Sequence, residues 1–302
     1  SVSPAGTPDE GYARSGQTDA RFINDFNGDG VSELTVYDRS AGGWYIKTVG
    51  GVSLAWGEQW GGAGMQPVAG DFDGDGMSEM AVYDEATGTW YVKKTAITGG
   101  AVLFWALSWG GPGMTPVAGD YDGDGRSDFA VYSESAGAWF VRSATGATLV
   151  WGMQWGGPGS LPVAGDYNGD SVSDLAVVFN TGAWFVKTIG DVPILWNNPW
   201  GGADMIPAAG DFDGDGVSDQ AMFKSANGMW YIKSVAGAVI AWEALCGGPG
   251  FTPVSGDFDG DGQTDLAVYH EASGTWYALD RDGGIILWGT LWGGPGLTPV
   301  SE

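Results

Sequence analysis

The sequence predicts an all-β fold, a six-bladed β-propeller with four antiparallel strands per blade, and three observations carry that prediction. The 55 glycines and 17 tryptophans among 302 residues suit many short strands joined by tight turns around bulky packing groups. An Asp-rich segment recurs from Asp25, Asp71, Asp120, Asp166, Asp211 and Asp257, with spacings of 46, 49, 46, 45 and 46 residues. Each unit holds four short apolar runs, and no segment sustains a 3.6-residue apolar period over three turns, which sets helical solenoids aside.

Within the unit from Pro67 to Trp109 the strands read in order as A (67–70), B (80–83), C (89–93) and D (101–107). Each is rich in β-branched and aromatic residues and bounded by Gly, Asp or Thr. A four-stranded sheet this small cannot bury both faces alone, and radial repetition is the solution that covers them. Residues 1–20 read as an N-terminal extension or linker and 21–302 as one propeller domain, with repeats near 21–66, 67–115, 116–161, 162–206, 207–252 and 253–302. Ring closure stays open at this point. Thr298-Pro299-Val300-Ser301 begins a seventh copy of strand A, while Arg21-Phe22-Ile23-Asn24 supplies one for the first unit. One of the two is redundant, or the chain continues.

With 43% hydrophobic and 16% charged residues the chain can bury a large core. It has no apolar run of about 18 residues, and Ser1 to Gly6 lack the basic-then-apolar layout of a leader, so a soluble, mature or trimmed chain is expected. Cys246 is the single cysteine, so no internal disulfide ties the loops. A formal charge of −25 argues against nucleic acid or an anionic membrane as partner and makes cations the natural complement.

The acidity is concentrated: 22 of the 37 acidic residues lie in the six recurring loops. Positions 1, 3, 5, 7 and 9 of these loops are, in order, Asp25, Asn27, Asp29, Val31 and Glu33; Asp71, Asp73, Asp75, Met77 and Glu79; Asp120, Asp122, Asp124, Arg126 and Asp128. The remaining three are Asp166, Asn168, Asp170, Val172 and Asp174; Asp211, Asp213, Asp215, Val217 and Asp219; Asp257, Asp259, Asp261, Gln263 and Asp265. Positions 1, 3, 5 and 9 offer side-chain oxygens, and position 7 a backbone carbonyl. Three or four carboxylates within nine residues repel one another unless a cation sits among them, and all-oxygen donors select a hard ion such as calcium. An EF-hand would need Glu at position 12, where the chain has Val36, Val82, Val131, Val177, Met222 and Val268.

A nine-residue loop closed by an acid and followed at once by a strand resembles the calcium loop of the integrin α-subunit propeller and of the FG-GAP and VCBS repeats of bacterial surface proteins. The resemblance spans Arg21 to Val300. It implies one calcium loop per blade between strands A and B, about six Ca2+ in all, and a secreted or cell-surface location where calcium is plentiful. The fourth loop, with Asn168 and with Ser171 in place of glycine, is expected to be the weakest.

Residues that break the repeat are the natural place for catalysis, and they are few: Arg126, Asn197, Asn198, Asp204, Cys246 and His270. His270 reads as a surface turn residue and Cys246 as a buried thiol. Lys47, Lys93, Arg142, Lys187 and Lys233 recur once per unit, so they ring the molecule instead of converging on one phosphate or uronate. A non-enzymatic binding or adhesion module is therefore expected, with a structural domain of a larger surface protein, or a calcium-dependent polysaccharide lyase or phosphatase, as alternatives. In integrin-like propellers ligands meet the face opposite the calcium loops. On that face Trp60, Trp109, Trp155, Trp200 and Trp292 are candidate platforms for carbohydrate or an extracellular protein, weighed against packing between blades. Two other sets, Trp44, Trp90, Trp139, Trp184, Trp230 and Trp276 on strand C, and Trp56, Trp105, Trp151, Trp196, Trp242 and Trp288 on strand D, are both expected to be packing residues.

Overall fold

A computed structural model describes residues 24–300, and within them the chain forms six four-stranded antiparallel sheets arranged as a β-propeller. Blade 2 shows the plan: Met65–Gly70, Glu79–Asp84, Thr89–Lys93 and Val102–Ser108 are strands A to D. These sit within two residues of the bounds read from sequence. No helix among the described residues is long and apolar enough to cross a membrane.

The C-terminal segment closes the ring. Strand A of blade 1 is Leu297–Pro299, paired with strand B, Leu34–Asp38, in the register Val36 to Pro299 and Asp38 to Leu297. Asn24 serves a different end from the strand expected of it. At φ 64° it stands where the other units have Gly, and its side-chain amide donates to Val300 O at 2.9 Å. Arg21, Phe22 and Ile23 lie outside the described residues.

The core lies between blades. Phe26, Tyr37, Trp44 and Ile46 of blade 1 pack with Ala69, Met80 and Val82 of blade 2, and five further clusters repeat the arrangement. The strand C tryptophans are fully buried, as expected. Each gives its indole N–H to a backbone carbonyl at the end of strand D, as Trp90 does to Trp109 O at 2.9 Å, so none of these indole donors is left unpaired. The Trp-Gly-Gly turn fits beneath a strand B tyrosine. Gly110, at φ 121°, leaves room for the Tyr83 hydroxyl, which a Cβ there would meet at 2.5 Å.

The strand D tryptophans correct the sequence reading: Trp56, Trp105, Trp151, Trp196, Trp242 and Trp288 are 62–74% exposed. A β-bulge follows each of them. Tyr45 pairs with Trp56 and Trp44 with Glu58, which leaves Gly57 as an extra residue. The equivalent residue has positive φ in every blade, including Ala106 (56°), Asn197 (50°) and Glu243 (56°). Ahead of the bulge the strand alternates normally: Ala55 faces inward beside buried Ile46, and Trp56 stands on the opposite face beside half-buried Tyr45.

Candidate functional site

Two features repeat around the ring, the acidic loops and a set of aromatic clusters at the blade junctions. In each loop the position-2 aromatic, such as Phe72, is buried and anchors the turn, while its backbone N–H donates to the position-9 carboxylate, Glu79 Oε2, at 2.7 Å. Phe26, Tyr121, Tyr167, Phe212 and Phe258 do the same with Glu33, Asp128, Asp174, Asp219 and Asp265 at 2.6–2.9 Å. Position 1 shapes the curl: Asp71 accepts from Gly74 N at 2.6 Å and Gly76 N at 2.8 Å.

This folding gathers acids at five of the six loops: Asp25, Asp29 and Glu33; Asp71, Asp73, Asp75 and Glu79; Asp120, Asp122 and Asp128; Asp211, Asp213 and Asp219; Asp257, Asp259 and Asp265. In each group, oxygens from every residue lie within 4.8 Å of one another, close enough to share one metal ion. Asp166, Asp170 and Asp174 of the fourth loop form no such group. There the Asn168 amide turns toward both oxygens of Asp174, at 3.4 Å. Asp124, Asp215 and Asp261 accept the backbone N–H of position 7, from Arg126, Val217 and Gln263. Val31, Met77 and Val172 donate in the same way to Asp29, Asp75 and Asp170.

The position-9 acids sit in an unfavourable electrostatic setting. Burial, opposed by the position-2 N–H and reinforced by neighbouring carboxylates, pushes Glu33, Glu79, Asp219 and Asp265 up to about 8 and Asp128 and Asp174 up to about 7. Burial likewise raises Asp25, Asp71, Asp120 and Asp257. One oxygen each of Asp73, Asp213 and Asp219 is buried with no hydrogen-bond partner. All-oxygen donors with unsatisfied buried oxygens are what a hard divalent cation completes.

The loops are also joined to one another. The position-8 N–H of each loop donates to the position-1 carbonyl of the preceding one: Ser78 to Asp25, Ser127 to Asp71, Ser173 to Asp120, Ser218 to Asp166, Thr264 to Asp211 and Ser32 to Asp257, at 2.6–2.7 Å. Gly119 makes space for this contact, since a Cβ there would lie 2.6 Å from Ser173 Oγ. The sequence reading missed these residues, although a Ser or Thr at position 8 of all six loops was the available signal.

At the junctions, the candidate tryptophans act as ties between blades. The indole N–H groups of Trp60, Trp109, Trp155, Trp200 and Trp292 donate to Tyr91, Phe140, Phe185, Tyr231 and Tyr45 O of the next blade at 3.1–3.3 Å. Against each tie stands an exposed strand D indole of that next blade, with ring centroids 5.4–5.8 Å apart: Trp105 on Trp60, Trp151 on Trp109, Trp196 on Trp155, Trp242 on Trp200 and Trp56 on Trp292. The strand C aromatic holds the exposed indole from a second side, as Tyr91 does Trp105 at 5.3 Å. A cation lies over each tie: Lys93 on Trp60, Arg142 on Trp109, Lys187 on Trp155, Lys233 on Trp200 and Lys47 on Trp292, at 4.7–6.0 Å from the centroid. At the sixth junction Cys246 replaces the tie and Leu279 replaces the cation.

The residues that break the repeat have structural occupations. Cys246 is buried, its thiol pushed up to about 12 by that burial, and it contacts Leu266 O at 3.1 Å. His270 Nδ1 lies 2.6 Å from Ser273 Oγ, and its ring leans against Phe251 at a tilt of 31° with centroids 4.8 Å apart. Asn198 accepts from Lys233 Nζ at 2.5 Å, Asn197 occupies the bulge, Arg126 packs over Gly74, and Asp204 is exposed.

Residues 71–131 match the FG-GAP-like repeat family. No curated protein sequence matches the chain significantly. Among solved structures, the chain is similar to an Agrocybe aegerita lectin described as recognising non-reducing terminal N-acetylglucosamine. That match has TM-score 0.55 and 14% identity and covers 85% of this chain and 75% of the lectin. It is also similar to virginiamycin B lyase from Staphylococcus aureus, at TM-score 0.53 and 12% identity, covering 89% of this chain and 83% of the lyase. At these identities the likeness is one of fold, shared by a binding protein and an enzyme alike.

Proposed function

We propose that this propeller of FG-GAP-like repeats is a calcium-stabilised, secreted or cell-surface binding module that holds carbohydrate against the aromatic clusters between its blades. The observation that carries the reading is the repeated pairing of an exposed strand D indole, fixed by two edge-on aromatic contacts, with the indole and cation of the preceding junction. An apolar ring face held rigid in water suits the C–H face of a sugar, and little side-chain freedom is lost when it binds. This moves the binding surface from the face opposite the calcium loops to the rim of the propeller. The lectin of similar fold supports the ligand class by analogy. Calcium's part is structural: the carboxylates of the five gathered loops would hold the ion, and its charge would offset the repulsion among them. The tasks of Cys246, His270 and Asn198 favour binding over catalysis.

The test is a glycan array probed with the full chain in calcium and in EDTA, alongside Trp56→Ala, Trp105→Ala, Trp151→Ala, Trp196→Ala and Trp242→Ala, singly and together. Single changes are expected to weaken binding modestly. The combined variant should lose the avidity of repeated sites, a factor of about 10² or more, while melting near the parent temperature. A combined variant that binds the same glycans with undiminished strength refutes the reading.

A further inference from the structure

The residue just after strand C opens the C–D turn, and it is structurally equivalent in all six blades: its N–H donates to the far side of the turn from Thr48, Lys94, Ser143, Thr188, Ser234 and Asp280. In five blades its side chain caps the turn as an acceptor. Thr48 Oγ1 takes Val52 N, Ser143 Oγ takes Thr145 N, Thr188 Oγ1 takes Val192 N, Ser234 Oγ takes Ala238 N and Asp280 Oδ1 takes Gly284 N. Lysine has no acceptor and cannot do this. Blade 2 closes its turn instead with a 3-10 turn at Ala96–Thr98 and a Gly100 N to Thr95 O bond. Freed from the turn, the Lys94 ammonium lies 2.7 Å from Asp73 and also contacts Asp75.

The loop it reaches gathers four carboxylates, against three in each of the other four groups among the described residues. That such a loop is built for a cation is seen most directly in its fifth-blade equivalent. There Asp219, 1% exposed and grouped with Asp211 and Asp213, keeps one oxygen buried without a partner. The sixth loop has the opposite arrangement, with Asp280 in the slot adding its negative field to Asp259.

We propose that Lys94 is a tethered counter-ion of the second loop, neutralising Asp73 and Asp75 when calcium is scarce and giving way when the ion binds. The inference rests on the calcium reading above. It makes the second loop the one that stays formed without metal, at the cost of weaker calcium affinity than its four carboxylates alone would give.

The experiment titrates calcium chloride calorimetrically into the full chain at fixed ionic strength, comparing the parent with Lys94→Met and Lys94→Arg. Lys94→Met is expected to bind at one class of site about three- to tenfold more tightly, the scale of two partly exposed ion pairs, and to melt lower than the parent in EDTA. Lys94→Arg, which keeps the charge, should change neither. Calcium binding with unaltered affinities in Lys94→Met, or an equal shift at every site, overturns the inference and leaves the calcium reading standing. The absence of calcium binding in all three proteins overturns both.

Discussion

Removing calcium should invert the response of the fold to pH. Without the ion, each buried position-9 acid is easier to keep protonated than ionised, and Glu79 is pushed from 4.5 up to about 8. At about 1.4 kcal/mol per tenfold change in proton affinity, that rise is worth up to about 5 kcal/mol. Even a third of this at each of six loops comes to about 10 kcal/mol, the whole stability of an ordinary domain. The sign follows from proton counting. Between the unfolded carboxyl value near 4 and the folded value near 7 to 8, the folded state holds more protons, so stability falls as pH rises through that window. With calcium in place the carboxylates must be ionised, so protons compete with the ion and stability is lost as pH falls. The assay is the melting temperature across about pH 5 to 8, in EDTA and in saturating calcium. The EDTA series should fall by many degrees toward high pH while the calcium series holds or rises, and calcium addition near neutrality should release protons. An EDTA series that is flat or rises with pH would refute the reasoning.

Two further expectations are independent of calcium. Removing residues 297–302 deletes strand A of blade 1 and exposes the edge at Val36 and Tyr37; the shortened chain should melt broadly and associate on size exclusion, and a sharp melt at the parent temperature would contradict C-terminal closure. Cys246, buried and with its thiol pushed up to about 12, should resist maleimide in the native protein and react on unfolding; prompt native labelling would place it at the surface.

The repeat, the strand order and the acidic loops were readable because each depends on residue type at fixed spacing. The strand D tryptophans were not. A large apolar residue in a strand suggests burial, and the bulge beside it, which interrupts the pairing register, is marked by glycine only at Gly57, Gly152 and Gly289, while Ala106, Asn197 and Glu243 hold the same left-handed backbone without that sign. Closure was ambiguous because both ends of the chain carry strand-like residues. What separates them is that Asn24 aligns with the glycine ending Pro-Val-Ala-Gly and reaches across to Val300. For the candidate platform tryptophans residue type alone does not separate packing from binding: Trp60 and its equivalents tie one blade to the next and also meet an exposed indole.

The six backbone bonds that run from each acidic loop to the one before form a closed hoop, with Ser32 to Asp257 as its last link. A row of staves held only by neighbours frays from its ends; a hooped cask has no end from which to begin. Slackening one loop tugs on the loop either side, so the ring should unfold as one unit instead of blade by blade. A tug on any one blade would then be shared around the whole girdle.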